Sequence, residues 1–443
     1  MRADDLEYMP KTQERLAQEG TTFSNAFVSY SQCCPSRASI LRGQYTHNHQ
    51  VLSNAAPDGG FEKFYVQGHE GSTVATWLQS AGYSTVLMGK YLNGYPGSGD
   101  ASYVPPGWDE WYGRLESVNV SGYKDYFLNE NGSVVFHGNS DDDYYTDVLA
   151  RTAQDYVRRI APTEQPFFMY VAVGAPHVPQ TPARRHKDML AGETVPRSPS
   201  FNEADVSDKP RVIRRLSSLT NDEIAEVDET YRDRLRSLQA VDEMVEQLID
   251  ELQEQGVLDN TYIIFMSDNG REQGEHRIKE GKSRPYEESI RVPLVVRGPG
   301  VPAEHTSSEV ALNTDLAPTF ADLAGATAPD FIDGRSLKPL LSAKKPPTTW
   351  RDAFLIESYP GGEADNAEKQ TDRRSFFGIR TSQYKYVEYV TGTKELYDLP
   401  ADPYELDNYY QDVDPALYDN LQSRLEALKS CAGASCQEAE DEQ

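Results

Sequence analysis

The stretch 31–43 brings together side chains of unusual chemistry. It reads Ser-Gln-Cys-Cys-Pro-Ser-Arg-Ala-Ser-Ile-Leu-Arg-Gly, with two adjacent cysteines directly before Pro35. Proline fixes its own φ and biases the preceding residue, Cys34, toward an extended conformation. Residues 36–42 have the pattern of a short helix, and Gly43 is a natural left-handed stop. The sequence therefore predicts a cysteine pair at the entrance of a short helix.

Cys33 and Arg37 are the side chains of this stretch that could act on an anion. Cys33 is expected just before the helix N-terminus, where free backbone N–H groups and the helix dipole favour negative charge. Arg37, one turn into the helix, can direct its guanidinium to the same place. The alternative is an ordinary reduced or disulfide-bonded cysteine pair in front of a helix.

Further polar stretches follow predicted buried strands. Strands at 83–88, 166–173 and 261–266 lead into Gly-Lys-Tyr-Leu-Asn at 89–93, Gly-Ala-Pro-His-Val at 174–178 and Ser-Asp-Asn-Gly at 267–270. Open α/β sheets place ligand-contacting residues at the carboxyl ends of their strands. Asp268 and Asn269 offer two hard oxygen ligands, which suit Ca²⁺ or Mg²⁺. The alternative for this pair is an ordinary Asp-Asn-Gly turn.

The stretch around Cys33 resembles the sulfatase signature, Cys-x-Pro-Ser-Arg followed by Leu-x-Gly. In that family a formylglycine-generating enzyme oxidises the first cysteine, here Cys33, to formylglycine, whose hydrate is the nucleophile. The later motifs occur in the family's order, and Asp268 and Asn269 match its second metal half-site. The resemblance implies that the oxygen at position 33 also contacts the metal. It covers essentially the whole chain and implies an alkaline-phosphatase-like fold.

The resemblance also implies a division of labour within the site. Arg37 and the metal stabilise the formylglycine hydrate, while Lys90 and Lys282 neutralise the sulfuryl oxygens. His177 protonates the leaving alcohol. Alternatively, an exposed lysine or a hydrogen-bonded structural histidine is the ordinary explanation of each residue taken singly.

Within the family the likeness is greatest to N-acetylglucosamine-6-sulfatases. That branch shares Cys-Cys-Pro-Ser-Arg-Ala-Ser-Ile-Leu, Tyr-x-His-Asn-His at 45–49 and Gly-Lys-Tyr-Leu-Asn at 89–93. Leu92 occupies a position where many other sulfatases carry histidine, so Asn93 is a candidate to contribute instead. His47 and His49 are expected to have hydrogen-bonded structural roles.

One element of the family is expected to be missing from this chain. Sulfatases have a first strand that ends in a metal-binding Asp-Asp pair, whereas no hydrophobic strand precedes the helix predicted at 10–19. We expect the chain to begin just after that pair, which would leave a gap in the sheet. Asp4 and Asp5 are possible substitutes, but without a strand to hold them they are expected to be solvated residues at a helix entry.

The remaining pattern predicts an α/β protein with two domains. Residues 1–343 form the catalytic domain, a mixed or parallel sheet sandwiched by helices, and 344–443 form a smaller α+β subdomain. The predicted helices are 10–19, 72–81, 141–160, 229–255, 315–323 and 417–428. The subdomain has antiparallel strands at 353–357, 375–381 and 384–389, after a linker at 344–349. Segment 94–140 is predicted to be an excursion of short strands and loops near the mouth of the site, and segment 180–227 is predicted to be a surface excursion. The acidic tail after Cys436 is predicted to be disordered.

Composition excludes several classes of partner. The 443 residues carry a net charge of −27, which argues against nucleic acid and anionic membranes, and no apolar run is long enough to span a bilayer. This charge also favours a small or chain-terminal sulfated sugar over a long polyanion. The spacing leaves open whether Cys431 and Cys436 form a disulfide. The sequence does not begin with a signal segment, and an exported protein is our expectation.

These features predict a sulfuric ester hydrolase that acts on 6-O-sulfated N-acetylglucosamine or a related sulfated glycan. A phosphonate monoester hydrolase or phosphodiesterase of the same superfamily is the enzymatic alternative. The alternative from another class is an inactive protein that binds sulfated glycans.

Overall fold

The computed structural model describes residues 1–116, 122–342, 347, 349–360 and 375–441. Its helices are α1 (Pro10–Thr12, continued by a π-helical turn Gln13–Ala17), α2 (Cys33–Arg42), α3 (Thr46–His49), α4 (Gly60–Val66), α5 (Val74–Ser80), α6 (Tyr145–Ile160), α7 (Arg211–Arg214), α8 (Asn221–Glu254), α9 (Glu287–Ile290), α10 (Leu316–Ala324), α11 (Pro415–Ser430) and α12 (Ala434–Asp441). None of these helices is both long and apolar enough to cross a membrane.

The strands form four sheets. In chain order they are β1 (Thr21–Phe23), β2 (Ala26–Phe27), β3 (Ser84–Gly89), β4 (Glu110–Arg114), β5 (Tyr126–Glu130), β6 (Ser133–His137), β7 (Phe167–Ala172), β8 (Ile263–Met266), β9 (Leu294–Arg297), β10 (His305–Ser307), β11 (Ala311–Leu312), β12 (Ala353–Ser358), β13 (Phe376–Thr381), β14 (Tyr384–Tyr389) and β15 (Lys394–Asp398). The sheet orders are β6-β5-β4-β3-β7, β10-β1-β9-β8, β11-β2 and β12-β13-β14-β15. Strands β4, β3 and β7 are mutually parallel, and the last sheet is antiparallel throughout.

Helices cover both faces of the β3 sheet. Val86 and Met88 of β3 pack into the apolar cluster formed with α6 and α8, whereas Leu87 packs into the cluster formed with α2, α5 and α10. This alternation follows from the two-residue period of a strand. The predicted α/β sandwich is confirmed, and the predicted short strands of 94–140 are β4 to β6.

The central β-structure is divided into two sheets where the sequence predicted one. Among the described residues, β7 pairs only with β3, and β8 pairs only with β9. Side chains of both edge strands join the same apolar clusters, since Tyr170 of β7 shares one with Ile264 and Met266 of β8. Most of these side chains remain partly exposed, because each strand lacks a neighbour on one edge.

The antiparallel sheet packs against α11 and against the larger part of the molecule. Its core includes Phe354 and Ile356 of β12 and also Phe27 and Tyr45, which precede and follow α2. The predicted linker at 344–349 lies largely outside the described residues. The domain boundary at 343 and 344 therefore stays a prediction.

Three local predictions were wrong. Helix α2 begins at Cys33, so Cys34 is helical, because proline is tolerated in a first turn. Helix α8 begins at Asn221, inside the supposed surface excursion, where Thr220 and Glu223 form a capping box. The third error is the acidic tail, which is the helix α12.

The tail is ordered because buried partners hold it. Glu440 is fully buried, accepts a hydrogen bond from Tyr45 Oη at 2.6 Å and pairs with Arg351 Nε at 3.1 Å. A disulfide joins Cys431 to Cys436, which settles the question that the spacing had left open. Long-range ion pairs and this covalent link outweigh the acidic composition on which the prediction of disorder rested.

Candidate active site

Helix α2 places the signature residues in a fully enclosed setting. Every residue of Cys33–Arg42 is buried, including its serines and arginines. The polar side chains have buried partners, since Ser36 Oγ accepts from Asn313 Nδ2 at 3.0 Å and Ser39 Oγ lies 3.1 Å from His49 Nε2. The helix ends at Gly43, whose φ of +69° is the left-handed conformation that glycine adopts at no steric cost.

The Cys33 thiol lies in a cationic pocket. Lys282 Nζ donates to its Sγ at 2.9 Å, and His177 is a further hydrogen-bonding partner. Burial opposes ionisation of the thiol, but the charges of Lys282 and Lys90 outweigh it and lower the pKa of Cys33 to about 5. The pocket therefore favours a negatively charged or strongly polarised group at position 33.

The adjacent cysteine has the opposite environment. Cys34 is buried in an apolar cluster with Leu41 and Leu87, and burial raises its pKa to about 12. Its backbone N–H donates to Asn54 Oδ1 at 2.9 Å. Chemistry at this helix N-terminus is therefore favoured at Cys33 and disfavoured at Cys34.

Arg37 connects the helix to the end of β8 and to Lys90. Its Nε donates to Asp268 Oδ2 at 2.8 Å, and its Nη1 donates to the backbone carbonyl of Lys90 at 2.8 Å. Asp268 is partly buried, which opposes its ionisation, but the charges of Arg37 and Lys90 hold the pKa of this carboxyl well below its usual range. The carboxylate is therefore ionised.

Asp268 and Asn269 have the chemistry of a hard-cation half-site. Asn269 Oδ1 is buried without a hydrogen-bond partner, while its amide nitrogen donates to the Gly270 carbonyl. An ionised carboxylate beside an unpartnered amide oxygen fits Ca²⁺ or Mg²⁺, and such a cation needs about six oxygen ligands in all. These two residues therefore fit the cation as part of its coordination shell.

The first residue of the chain contacts the same half-site. The Met1 ammonium donates to Ser267 Oγ at 2.9 Å and to the Asn269 carbonyl at 2.9 Å. Asp4 is exposed. Asp5, expected to be solvated, is instead buried and accepts from the backbone N–H of Arg2 at 2.8 Å. Asp5 caps a turn, and the structure does not bring its carboxylate into contact with Asp268.

Lys90 has a carboxylate partner that the sequence reasoning missed. Its Nζ lies 3.5 Å from Glu116 Oε1. Burial opposes the charge of Lys90, but Cys33 and Glu116 raise the pKa of its ammonium above the ordinary value. Glu116 follows β4, whose carboxyl end lies beside that of β3, and this placement is the signal that could have identified it.

His177 lies on an exposed turn after β7. Its backbone N–H donates to the Gly174 carbonyl at 2.8 Å, and its Nδ1 lies 3.0 Å from the Val178 carbonyl. Since a carbonyl can only accept, Nδ1 carries a hydrogen and Nε2 is the nitrogen available to the site.

Two predicted structural histidines lie outside this arrangement. His47 contacts Glu357 and the Cys431 carbonyl, and His49 contacts Ser39. Helix α2 and the segments after β3, β7 and β8 thus bring the predicted site residues together. These residues are Cys33, Arg37, Lys90, His177, Asp268 and Lys282, with Asn269 beside them.

Comparison with known proteins identifies the family to which the chain belongs. The sulfatase family model matches residues 2–326, and the model of the N-sulphoglucosamine sulphohydrolase C-terminal region matches residues 274–431. Goat N-acetylglucosamine-6-sulfatase (Capra hircus) is 35% identical over 97% of this chain and 81% of its own length. The extracellular sulfatase SULF-1 homolog of Drosophila melanogaster is 37% identical over 86% of this chain, which spans about a third (34%) of that relative.

Solved structures have the same fold. A protein in complex with its substrate D-glucosamine-2-N,6-O-disulfate aligns with a TM-score of 0.77 and 27% identity over 98% of this chain and 94% of its own. The phosphonate monoester hydrolase of Silicibacter pomeroyi aligns with a TM-score of 0.73 over 96% of this chain and 91% of its own, but at 21% identity it shows the fold alone. Sulfatases generally use a metal ion and a formylglycine residue. The chain belongs to the sulfatase family.

Proposed function

We propose that this sulfatase hydrolyses the 6-O-sulfate of N-acetylglucosamine or of a closely related sulfated glycan. The observation that carries the proposal is the cationic pocket in which Lys282 and Lys90 surround Cys33, the residue that matches the signature cysteine. The substrate class is supported by the goat relative's name and by the sulfated glucosamine bound to the structural relative.

We further propose that Cys33 is converted to formylglycine by a formylglycine-generating enzyme and that Asp268 and Asn269 hold Ca²⁺, or Mg²⁺, together with the oxygen at position 33. When present, the hydrated aldehyde supplies the nucleophile and the cation supplies positive charge beside it. The buried, unpartnered Asn269 Oδ1 supports the cation site, and the cationic surroundings of Cys33 support a polarised oxygen at that position.

The lysines bind and orient the sulfate. Lys282 Nζ lies within hydrogen-bonding distance of the Cys33 side chain, and Lys90 contributes charge to the same pocket. Two ammonium groups on one side of position 33 offset the negative charge on the sulfuryl oxygens. Glu116 keeps Lys90 charged, because the pKa of the lysine rises beside a carboxylate.

Arg37 holds the framework of the site. Its guanidinium donates to Asp268 and to the Lys90 carbonyl, so one side chain fixes the carboxylate and the end of β3 relative to α2. With its nitrogens committed in this way, Arg37 orients the half-site and adds charge beside position 33.

His177 supplies the proton for the leaving alcohol. Nδ1 keeps its hydrogen on the Val178 carbonyl, so the proton passed to the leaving alcohol has to come from Nε2, and the His177 side chain is a hydrogen-bonding partner of Cys33. A sugar hydroxyl is a poor leaving group as an alkoxide, and protonation by a placed acid typically contributes about 10²–10⁴-fold in rate.

We propose that the protein acts in an exported compartment. The Cys431–Cys436 disulfide supports this, because such bonds persist in oxidising environments, and the Drosophila relative is named as extracellular. An inactive glycan-binding protein, the alternative from another class, would use the same cationic groups without turnover, so sulfate release that is lost in Cys33→Ala separates the two functions.

Parallel assays test the proposed activity. The protein, co-expressed with the maturing enzyme, is incubated with 6-sulfated N-acetylglucosamine, nitrophenyl sulfate and a nitrophenyl phosphonate ester, with Cys33→Ala as the control. We expect sulfate release from the 6-sulfated sugar, lost in the control. Turnover of the phosphonate ester alone would favour the phosphonate hydrolase, and turnover of aryl sulfate without any 6-sulfated sugar would refute the substrate.

A further inference from the structure

The imidazole of His177 is not held by packing around its own ring. The residue is exposed, and its side chain contacts the neighbouring Val178 carbonyl and the Cys33 side chain. Its direction therefore depends on the backbone of the turn that carries it. Whatever fixes the carbonyl groups of this turn also fixes where Nε2 points.

Two buried side chains from other parts of the chain donate hydrogen bonds to carbonyl groups of that turn. Tyr123, just before β5, donates from its hydroxyl to the His177 carbonyl at 2.7 Å. Arg234, in the middle of α8, donates to the Pro176 carbonyl at 3.0 Å. Tyr123 is 3% exposed and Arg234 is 4% exposed, so both donors are fixed by the surrounding core.

The placement of Arg234 is unfavourable for folding alone. Among the described residues Arg234 has no salt bridge, and its Nε is buried without a hydrogen-bond partner. Burial and the nearby charge of Arg271 lower the pKa of Arg234 to about 10. The charges of Asp5 and Glu280 offset part of the cost of burying this cation, but neither carboxylate is within ion-pair distance of Arg234. Its guanidinium instead donates to the carbonyl next to His177.

We propose that Tyr123 and Arg234 are positioning residues that direct Nε2 of His177 at the leaving oxygen of the sulfate ester by holding the carbonyls of His177 and Pro176. The inference rests on the proposed role of His177 as the acid. Neither side chain is assigned contact with the substrate. Both act through the backbone of one turn.

Dependence on the leaving group separates positioning from simple structural support. Nitrophenolate leaves without a proton, whereas the sugar alkoxide needs one, so loss of acid positioning affects only the sugar sulfate. We compare kcat/KM for 6-sulfated N-acetylglucosamine and for nitrophenyl sulfate in wild type and in the Tyr123→Phe and Arg234→Lys variants. The matched control is Tyr126→Phe, since Tyr126 is also fully buried but its hydroxyl has no hydrogen-bond partner.

We expect Tyr123→Phe and Arg234→Lys to lower kcat/KM about tenfold on the sugar sulfate and to stay within about threefold of wild type on nitrophenyl sulfate. Tyr126→Phe is expected to match wild type on both substrates. If thermal melting shows that one variant is unfolded at the assay temperature, the other variant is used for the test. Equal losses on both substrates, or no loss on either, would overturn the positioning role.

A His177→Gln variant makes failure of the two proposals distinguishable. If His177→Gln loses activity selectively on the sugar sulfate while Tyr123→Phe and Arg234→Lys do not, only the positioning role is wrong. If His177→Gln loses activity equally on both substrates, the acid assignment fails and the positioning role fails with it.

Discussion

Cys33 and Cys34 are adjacent and chemically identical, yet their surroundings give the two thiols opposite acidities. The pKa of Cys33 falls to about 5 beside Lys282 and Lys90, and burial raises that of Cys34 to about 12. The difference arises because the first residue of α2 faces the pocket and the second faces the apolar core.

We therefore expect conversion at Cys33 alone. In protein co-expressed with the maturing enzyme, peptide mass spectrometry is expected to find formylglycine at Cys33 and a free thiol at Cys34. A Cys34→Ala variant is the matched control and is expected to retain the aldehyde. Modification confined to Cys34, or an active Cys33→Ala variant, would contradict the assignment.

We expect Glu70 to make the stability of the folded protein depend on pH. It is 4% exposed, and burial raises its pKa to about 7 despite hydrogen bonds from the hydroxyls of Tyr103 and Tyr91. Since the folded state binds the proton more tightly than the unfolded chain, the stability that Glu70 contributes is lost as pH rises from about 4.5 to about 7. The free energy of unfolding is expected to fall between pH 5 and pH 8. In the Glu70→Gln variant we expect this fall to be smaller by about 2 kcal/mol. If urea titrations give the same pH dependence of the free energy of unfolding for wild type and variant, Glu70 is not its origin.

At the scale of elements, α12 depends on one buried carboxylate. Glu440 contacts Arg351, Arg335 and the Tyr45 hydroxyl, and Arg351 also pairs with Asp315 at 2.6 Å. Glu440→Ala leaves buried cations partly uncompensated, so we expect it to lower the free energy of unfolding by about 3 kcal/mol. Glu438→Ala, at an exposed position of the same helix, is expected to change it by less than about 0.5 kcal/mol. Equal effects in urea titrations would mean that the buried contacts do not hold the tail.

The same elements indicate what sequence could and could not predict. Helix α6 and strand β3 were predictable because their patterns are local, and the motif around Cys33 could be matched to a family. The order of α12 was not predictable, because it depends on Arg351, which lies far away in sequence. Glu116 and the division between β7 and β8 were missed for the same reason, since both depend on which strands become neighbours.

At the scale of the whole molecule, we expect net charge to distinguish substrates by their length. The chain carries a net charge of −27, although Arg37, Lys90 and Lys282 concentrate positive charge at the site. Long sulfated chains carry many negative charges beyond the pocket and are repelled by the net negative charge of the protein, whereas a single sugar carries one sulfate, which the cations of the site offset. We expect the preference in kcat/KM for 6-sulfated monosaccharide over sulfated polymer to weaken as salt rises from about 0.02 M to about 0.3 M. A preference that is independent of salt would exclude this electrostatic origin.

The enclosure of α2 limits when an enzyme could modify Cys33. Every residue of this helix is buried, and Cys33 itself is 3% exposed, so a second enzyme cannot reach the thiol in the folded protein. If Cys33 is converted as proposed, we therefore expect conversion to precede folding, and a molecule that folds first to stay unconverted. Incubated with purified maturing enzyme, the folded cysteine form is expected to stay unconverted, while a synthetic peptide of residues 30–43 is converted. The yield of converted protein is then expected to depend on the rate of conversion relative to the rate of folding.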